Sequence, residues 1–210
     1  MISFLKILWI IGITAEGMTG ALAAGKQKMD LFGVAVIASV TAIGGGSIRD
    51  MLLGNYPLSW VAEPQYLVLI WVAAFITVGM PFLLENFRWA FLILDAIGLS
   101  AFAVIGTEVA LHLGHGFIIA TVASVITGVF GGVIRDILCS RIPLVFQKEL
   151  YASVAILATC VHFLLTWLGA SPILTAAVSV IVAVTVRLLA IWKGWALPVF
   201  DYQERPSAQE

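Results

Sequence analysis

"AIGGGSIRDMLLGNYPL", residues 42–58, places three glycines, an arginine and an aspartate inside a run that is otherwise apolar. A glycine inside a helix costs about 1 kcal/mol relative to alanine, so Gly44, Gly45 and Gly46 predict that the helix bends or unwinds there. Ser47 would then restart the helix as its N-cap, with Asp50 as the acid of a capping box. An Arg or Asp near the centre of a membrane helix costs about 2.5–3.5 kcal/mol on insertion scales. Arg49 and Asp50 therefore require partners.

The surrounding chain is a membrane sequence. Of its 210 residues 61% are hydrophobic and 11% charged, and the mean hydropathy is +1.08, whereas soluble domains are about 45–50% apolar and about 25% charged. Apolar runs close to the roughly 20 residues that cross a bilayer lie at 2–24, 31–53, 65–84, 90–111, 117–139, 150–169 and 172–192. They predict an all-α integral membrane protein of seven transmembrane helices. Connections are short and only the tail "DYQERPSAQE" reads as polar and disordered. The first span resembles a cleaved signal peptide at "ALA" 21–23, but Glu16 interrupts it and the segment has a counterpart later in the chain.

A net charge of −1 gives no basic footprint for nucleic acid. Cys139 and Cys160 fall in predicted spans and read as small buried hydrophobes rather than a disulfide or metal pair. No H-E-x-x-H, nucleophile elbow or P-loop is present. The sequence thus predicts no enzyme, cofactor or metal site. His112, His115 and His162 read as interfacial or packed, and Arg187 as snorkelling beside Lys193. Most tryptophans sit where an aromatic belt is expected.

The opening stretch occurs twice. "GVFGGVIRDILCSRIPL" spans 128–144, and at a constant offset of 86 residues Gly45, Gly46, Ile48, Arg49, Asp50, Leu52, Pro57 and Leu58 each meet the same residue. The register extends to Gly12 with Gly98, Gly20 with Gly106 and Thr41 with Thr127. Two three-helix copies, 1–86 and 87–170, are then followed by a seventh helix at 171–195 and a cytoplasmic tail at 196–210. Three spans per copy is an odd number, so the second copy enters from the opposite side. Inverted repeats are common in transporters whose sites lie where discontinuous helices meet. Lys and Arg concentrate in the loops after the first, third and fifth spans and in the tail, which puts the N-terminus outside and the C-terminus in the cytoplasm.

The two signatures define the candidate pathway: Gly44, Gly45, Gly46, Ser47, Arg49 and Asp50 in one copy, Gly131, Gly132, Arg135 and Asp136 in the other. Adjacent helix residues point about 100° apart, so the pseudo-two-fold predicts cross-pairing, Arg49 with Asp136 and Arg135 with Asp50. Close packing of small residues is the plainer reading of such glycines, but packing does not require charge. Guanidinium groups and helix N-termini attract a carboxylate, and unwound carbonyls receive a cation or ammonium; a small zwitterion offers both. Glu16, Asp95 and Glu108 are secondary candidates, since intramembrane acids often mark ion or proton paths. Asp95 and Glu108 also admit an interfacial reading. The repeat counterparts of the three are Phe102, Trp9 and Leu22.

"GALAAGKQKMDLFGV", "AIGGGSIRDMLLGNYPL", "LDAIGLSAF" and "GVFGGVIRDIL" together resemble the bacterial inner-membrane family related to the trimeric intracellular cation (TRIC) channels, whose domain is also described as a glycine transporter. The resemblance covers about the first 170 residues and rests on the doubled Gly-Gly-x-x-Arg-Asp signature. It implies two inverted three-helix repeats plus a seventh helix, kinks at Gly44–Gly46 and Gly131–Gly132, a pore in each protomer and a homotrimer. Phe130 departs from the full glycine triplet, which implies a narrower or stiffer second break. Inner-membrane transport of glycine or a similar small zwitterion is the first functional expectation. The alternative is a TRIC-like monovalent cation channel, which the resemblance equally implies.

Overall fold

The structure, a computed structural model, describes residues 2–80, 86–147 and 150–196. The polar tail expected to be disordered lies outside the described residues, as do the end of the 65–84 run and Lys148. The described chain is all helical: α1 (Ile2–Lys26), α2 (Leu31–Leu53), a short α3 (Ser59–Ala62), α4 (Gln65–Val78), α5 (Phe87–His112), α6 (Phe117–Leu138), a 3-10 turn Leu144–Phe146, α7 (Ala152–Trp167) and α8 (Pro172–Lys193). Five of these, α1, α2, α5, α6 and α8, are long and apolar enough to cross a membrane. The 65–84 and 150–169 runs form the shorter apolar helices α4 and α7.

Local signals set the ends. Asp30 caps α2 by accepting from the Gly33 N–H at 2.7 Å, as N-cap acids do. Gly54, at φ 68°, closes it in the left-handed conformation that glycine adopts without a Cβ penalty. Ser171 followed by Pro172 starts α8, the residue order that suits a first helical turn.

α1, α2, α5 and α6 form the centre, each packed on its neighbours, with α4 against α1 and α2, α7 against α5 and α6, and α8 outside on α5 and α7. Small residues decide how closely the central helices approach. A Cβ on Gly45 would strike the carbonyl oxygen of Thr127, and one on Gly131 would strike that of Thr41. A Cβ on Gly20 would come within 2.6 Å of Ala38 Cα. On Gly106 it would come within 2.6 Å of Thr127 Oγ1. Gly12 faces the Phe102 ring, and Gly98 faces the Glu16 carboxylate. Under the 86-residue offset these contacts are reciprocal. As α2 advances from 41 to 45 its partner on α6 retreats from 131 to 127, so the two helices cross antiparallel. α1 and α5 do the same through Gly12 and Gly98.

Two expectations for α2 and α6 are corrected here. Both run as uninterrupted helices through their glycines, so the backbone does not unwind at Gly44–Gly46 or at Gly131–Gly132. The glycines serve close approach instead, which membrane helices achieve with small residues. Nor does Ser47 start a helix: its hydroxyl donates back to the Ile43 carbonyl at 2.8 Å within α2 and accepts from Trp60 Nε1 at 3.1 Å. Phe130 is partly exposed.

Because backbone atoms occupy the missing Cβ positions, Gly45→Ala and Gly131→Ala must push α2 and α6 apart. Each is expected to cost about 1–3 kcal/mol as overpacking, read as a lower unfolding temperature in detergent. Gly25→Ala, where nothing lies within 4 Å, should be neutral or slightly stabilising.

Candidate functional site

Arg49 and Arg135 are almost completely buried, at 1% and 0% exposure, and each sits in the last turn and a half of its helix. Their charges are met locally. Arg49 donates through Nε and Nη2 to Oδ1 of the adjacent Asp50 at 2.9 and 2.8 Å, and through Nη1 to Thr127 Oγ1 at 3.4 Å. Asp50 also accepts from Asn55 Nδ2 at 2.8 Å and Ser59 Oγ at 3.4 Å, which ties the chain after α2 to the site.

Arg135 has a richer set of partners. Nε and Nη2 donate to Asp136 at 2.9 and 3.3 Å. Nη1 donates to Asp95 Oδ1 and to Thr19 Oγ1, both at 3.1 Å, and lies 3.7 Å from Glu16 Oε2. Thr19 in turn donates to Glu16 Oε2 at 2.9 Å. The Tyr151 hydroxyl donates to Asp95 Oδ1 at 3.1 Å, and the guanidinium stacks 4.6 Å from the centre of the Phe91 ring. Asp136 Oδ2 accepts the Leu144 backbone N–H at 3.2 Å, so this carboxylate also holds the turn that follows its helix.

The expected cross-pairing is therefore replaced by pairing between sequence neighbours. The antiparallel register gives the reason. Residue 45 lies beside 127, so Asp136 is level with about residue 36 of α2, thirteen residues from Arg49 and roughly 20 Å away at about 1.5 Å of rise per residue. A guanidinium on its long stem bends across the 100° between adjacent positions far more readily than it spans that gap. The glycines and the charges consequently do not share one central site. They form a crossing with one buried Arg–Asp cluster on each flank.

The two clusters differ in kind. Around Arg49 the positions equivalent to Asp95 and Glu16 are Trp9 and Phe102, whose ring centres lie 5.5 Å apart, and Trp9 packs against the Gly46 side of α2. The first cluster is aromatic and holds one carboxylate; the second holds three. The interfacial reading of Asp95 is corrected, since it is 0% exposed and central to the Arg135 cluster. Glu108 instead pairs with His162, Oε1 to Nε2 at 2.8 Å. Arg187 does not snorkel: it is fully buried, with its guanidinium 4.7 Å from the centre of the Tyr151 ring. Cys139 is buried as expected, but Cys160 is exposed, and both are free thiols. Among the described residues no group of His, Cys, Asp or Glu could hold a metal.

Thr19, Thr127, Tyr151 and Asn55 were not singled out by sequence reasoning as partners of the arginines. Thr127 carried a signal, as the repeat counterpart of Thr41. For Tyr151, brought in by the chain before α7, there was none.

A family model described as "Glycine transporter" matches residues 6–81 and again 92–167. The inner membrane protein YadS of Escherichia coli is 39% identical over 199 residues, covering 93% of this chain and 95% of its own. The membrane protein YvgT of Bacillus subtilis is 37% identical over 92% of this chain and 95% of its own. Among solved structures, the TRIC trimeric intracellular cation channel orthologue from Rhodobacter sphaeroides superposes with a TM-score of 0.86 at 35% identity, covering 90% of this chain and 98% of that one. A second TRIC cation channel structure gives 0.85 at 34% identity over 95% and 98%. The chain belongs to this bacterial TRIC-related family.

Removing a guanidinium from a cluster of buried carboxylates leaves uncompensated charge. Arg135→Ala is expected to destabilise the protein by about 3–5 kcal/mol, the usual range for breaking a buried pair. Arg49→Ala should cost less, because Asp50 keeps Asn55 and Ser59 as donors. Unfolding temperatures in detergent test the order, and adding Asp95→Asn to Arg135→Ala should recover part of the loss.

Proposed function

We propose that the chain forms a monovalent cation channel, with potassium as its ion and one pathway per protomer, the path running past the α2–α6 crossing from one Arg–Asp cluster to the other. The observation that carries this reading is the excess of buried acid. Among the described residues Asp50 alone meets Arg49, whereas Glu16, Asp95 and Asp136 all gather on Arg135, so the excess of acid over guanidinium lies in the Arg135 cluster. Rings and clusters of acid favour cations in a pore, while guanidinium groups paired with carboxylates lose their power to repel them. Similarity to solved cation channels over nearly the whole chain supports the same choice.

The architecture that goes with it is two inverted three-helix repeats, 1–86 and 87–170, in which α4 and α7 complete seven spans with α8 as the extra helix. Reciprocal antiparallel contacts at an offset of 86, and a family model that matches twice at that same spacing, support it. An inner-membrane location, supported by the printed name of the Escherichia coli relative, and a homotrimer, supported by the trimeric Rhodobacter sphaeroides neighbour, complete the reading. With the N-terminus outside, as the Lys and Arg distribution favours, the acidic Arg135 cluster lies toward the cytoplasm and the aromatic Arg49 cluster toward the exterior.

One observation favours a second reading. The family description names glycine, and a guanidinium beside carboxylates offers complementary charge to both ends of a small zwitterion. Flux separates the two. Purified protein in proteoliposomes is expected to give potassium currents at the single-channel level without saturable uptake of labelled glycine. Saturable glycine uptake without potassium current would overturn the channel and establish the carrier.

A further inference from the structure

We propose that Glu16 and Asp95 form a proton-binding site, in which one exchangeable proton is held between two buried carboxylates that share Nη1 of Arg135. The site itself stands on geometry, and only its coupling to ion flux rests on the channel reading above.

Charge balance is the first support. Glu16 from α1, Asp95 from α5 and Asp136 from α6 converge on Arg135, with exposures of 2%, 0% and 4% against 0% for the arginine. Thr19 from α1 and the Tyr151 hydroxyl are the neutral donors facing them. From α8, Arg187 meets the group only across the Tyr151 ring. Asp136 takes two of the donors of Arg135 and a backbone N–H, so its charge is matched. Glu16 and Asp95 are left to share the remaining nitrogen. Buried charge that is not paired is costly, and a proton removes one such charge.

An unsatisfied atom is the second support. Asp95 Oδ1 accepts from both Arg135 and Tyr151, whereas its Oδ2, equally buried, has no hydrogen-bond partner among the described residues. A bare carboxylate oxygen in that position loses its hydration without replacement. A proton from hydronium in solution binds one oxygen of the pair and leaves water behind, removing one of the two negative charges; release returns the proton to water and restores the charge. No other bond changes.

The space between the two carboxylates suits a proton and not an alkali cation, which in the channel reading passes beside the cluster rather than between these oxygens. The Glu16 carboxylate fills the place where a Cβ on Gly98 would stand, and Asp95 is fully enclosed. A metal cation needs several oxygen ligands and room for itself, whereas a proton needs neither. The Arg49 flank provides a contrast, since the repeat counterparts of Asp95 and Glu16 there are Trp9 and Phe102, which offer no carboxylate to hold a proton. Both repeats contribute to the pair, Glu16 from α1 and Asp95 from α5, but it forms on only one flank of the crossing, which gives the molecule a side on which protons act. Acids buried within membrane segments are the usual carriers in proton relays.

Infrared difference spectra of the full-length protein in lipid bilayers, recorded between acid and alkaline pH in water and in heavy water, test this directly. The expected result is a protonated-carboxyl C=O band that titrates in the wild type, is lost or shifted in both Asp95→Asn and Glu16→Gln, and persists in Glu108→Gln. Tyr151→Phe, which deletes only the hydroxyl donating to Asp95 Oδ1, should shift that band and serves if the carboxyl variants do not fold. A wild type without such a band overturns the proposal, as does a band that Tyr151→Phe leaves in place. Potassium flux measured on the same preparations keeps the two readings apart: absent flux with the band present sinks the channel and leaves the proton site standing.

Discussion

Everything in this bundle depends on how closely α2 and α6 cross. At Gly45 and Gly131 the backbone carbonyls of Thr127 and Thr41 stand where side chains would otherwise begin, so the helices touch backbone to backbone. That contact sets the register, and the register sets which residues can meet. It places Arg49 and Arg135 on opposite flanks of the crossing, and it is why each arginine must find its counter-charge within its own flank. The adjacent aspartate supplies it in both cases. Glycine is the only residue that permits this approach, and its helical penalty of about 1 kcal/mol is offset by packing that no larger residue would allow.

Burying a guanidinium in a membrane protein is tolerated only where hydrogen bonds and opposite charge replace water. Both arginines meet that condition, but by different means. Arg49 relies on one carboxylate and a threonine, within an environment of aromatic rings. Arg135 relies on three carboxylates, a threonine and a stacked phenylalanine. The same Arg-Asp pair therefore anchors two chemically different clusters, and the difference comes from α1 and α5, which supply Trp9 and Phe102 to one and Glu16 and Asp95 to the other. Asp50 and Asp136 have a second role in common, since each also bonds the segment that follows its helix. Each Arg–Asp pair is thus tied to the connection that follows its helix.

Much of this was legible beforehand because it follows from periodicity and identity. Hydropathy located most of the apolar helices to within a few residues, the end of the 65–84 run apart, and the doubled Gly-Gly-x-x-Arg-Asp signature picked out the two helices that cross and carry Arg49 and Arg135. The same glycines were misread as points of unwinding. In sequence, a glycine that weakens a helix and a glycine that lets another helix approach look identical, and only the neighbour's carbonyl distinguishes them. The cross-pairing of Arg49 with Asp136 failed for a related reason: a pseudo-two-fold relates residues without fixing how far they stand from the axis. Arg187 was read as snorkelling, and Asp95 as either an intramembrane acid or an interfacial one, because sequence position said nothing of which face they occupied.

By itself the sequence determined that the chain is an apolar helical bundle, that it contains two related halves, and that ionised residues are embedded in both. Those properties follow from composition and from spacing along one strand of covalent bonds. Tertiary structure alone decided that the helices stay whole, that the charges divide into two flanks, and that one flank gathers Glu16, Asp95, Asp136 and Tyr151 around a single arginine. These are distances between segments far apart in the chain, fixed by where a missing Cβ allows two backbones to meet.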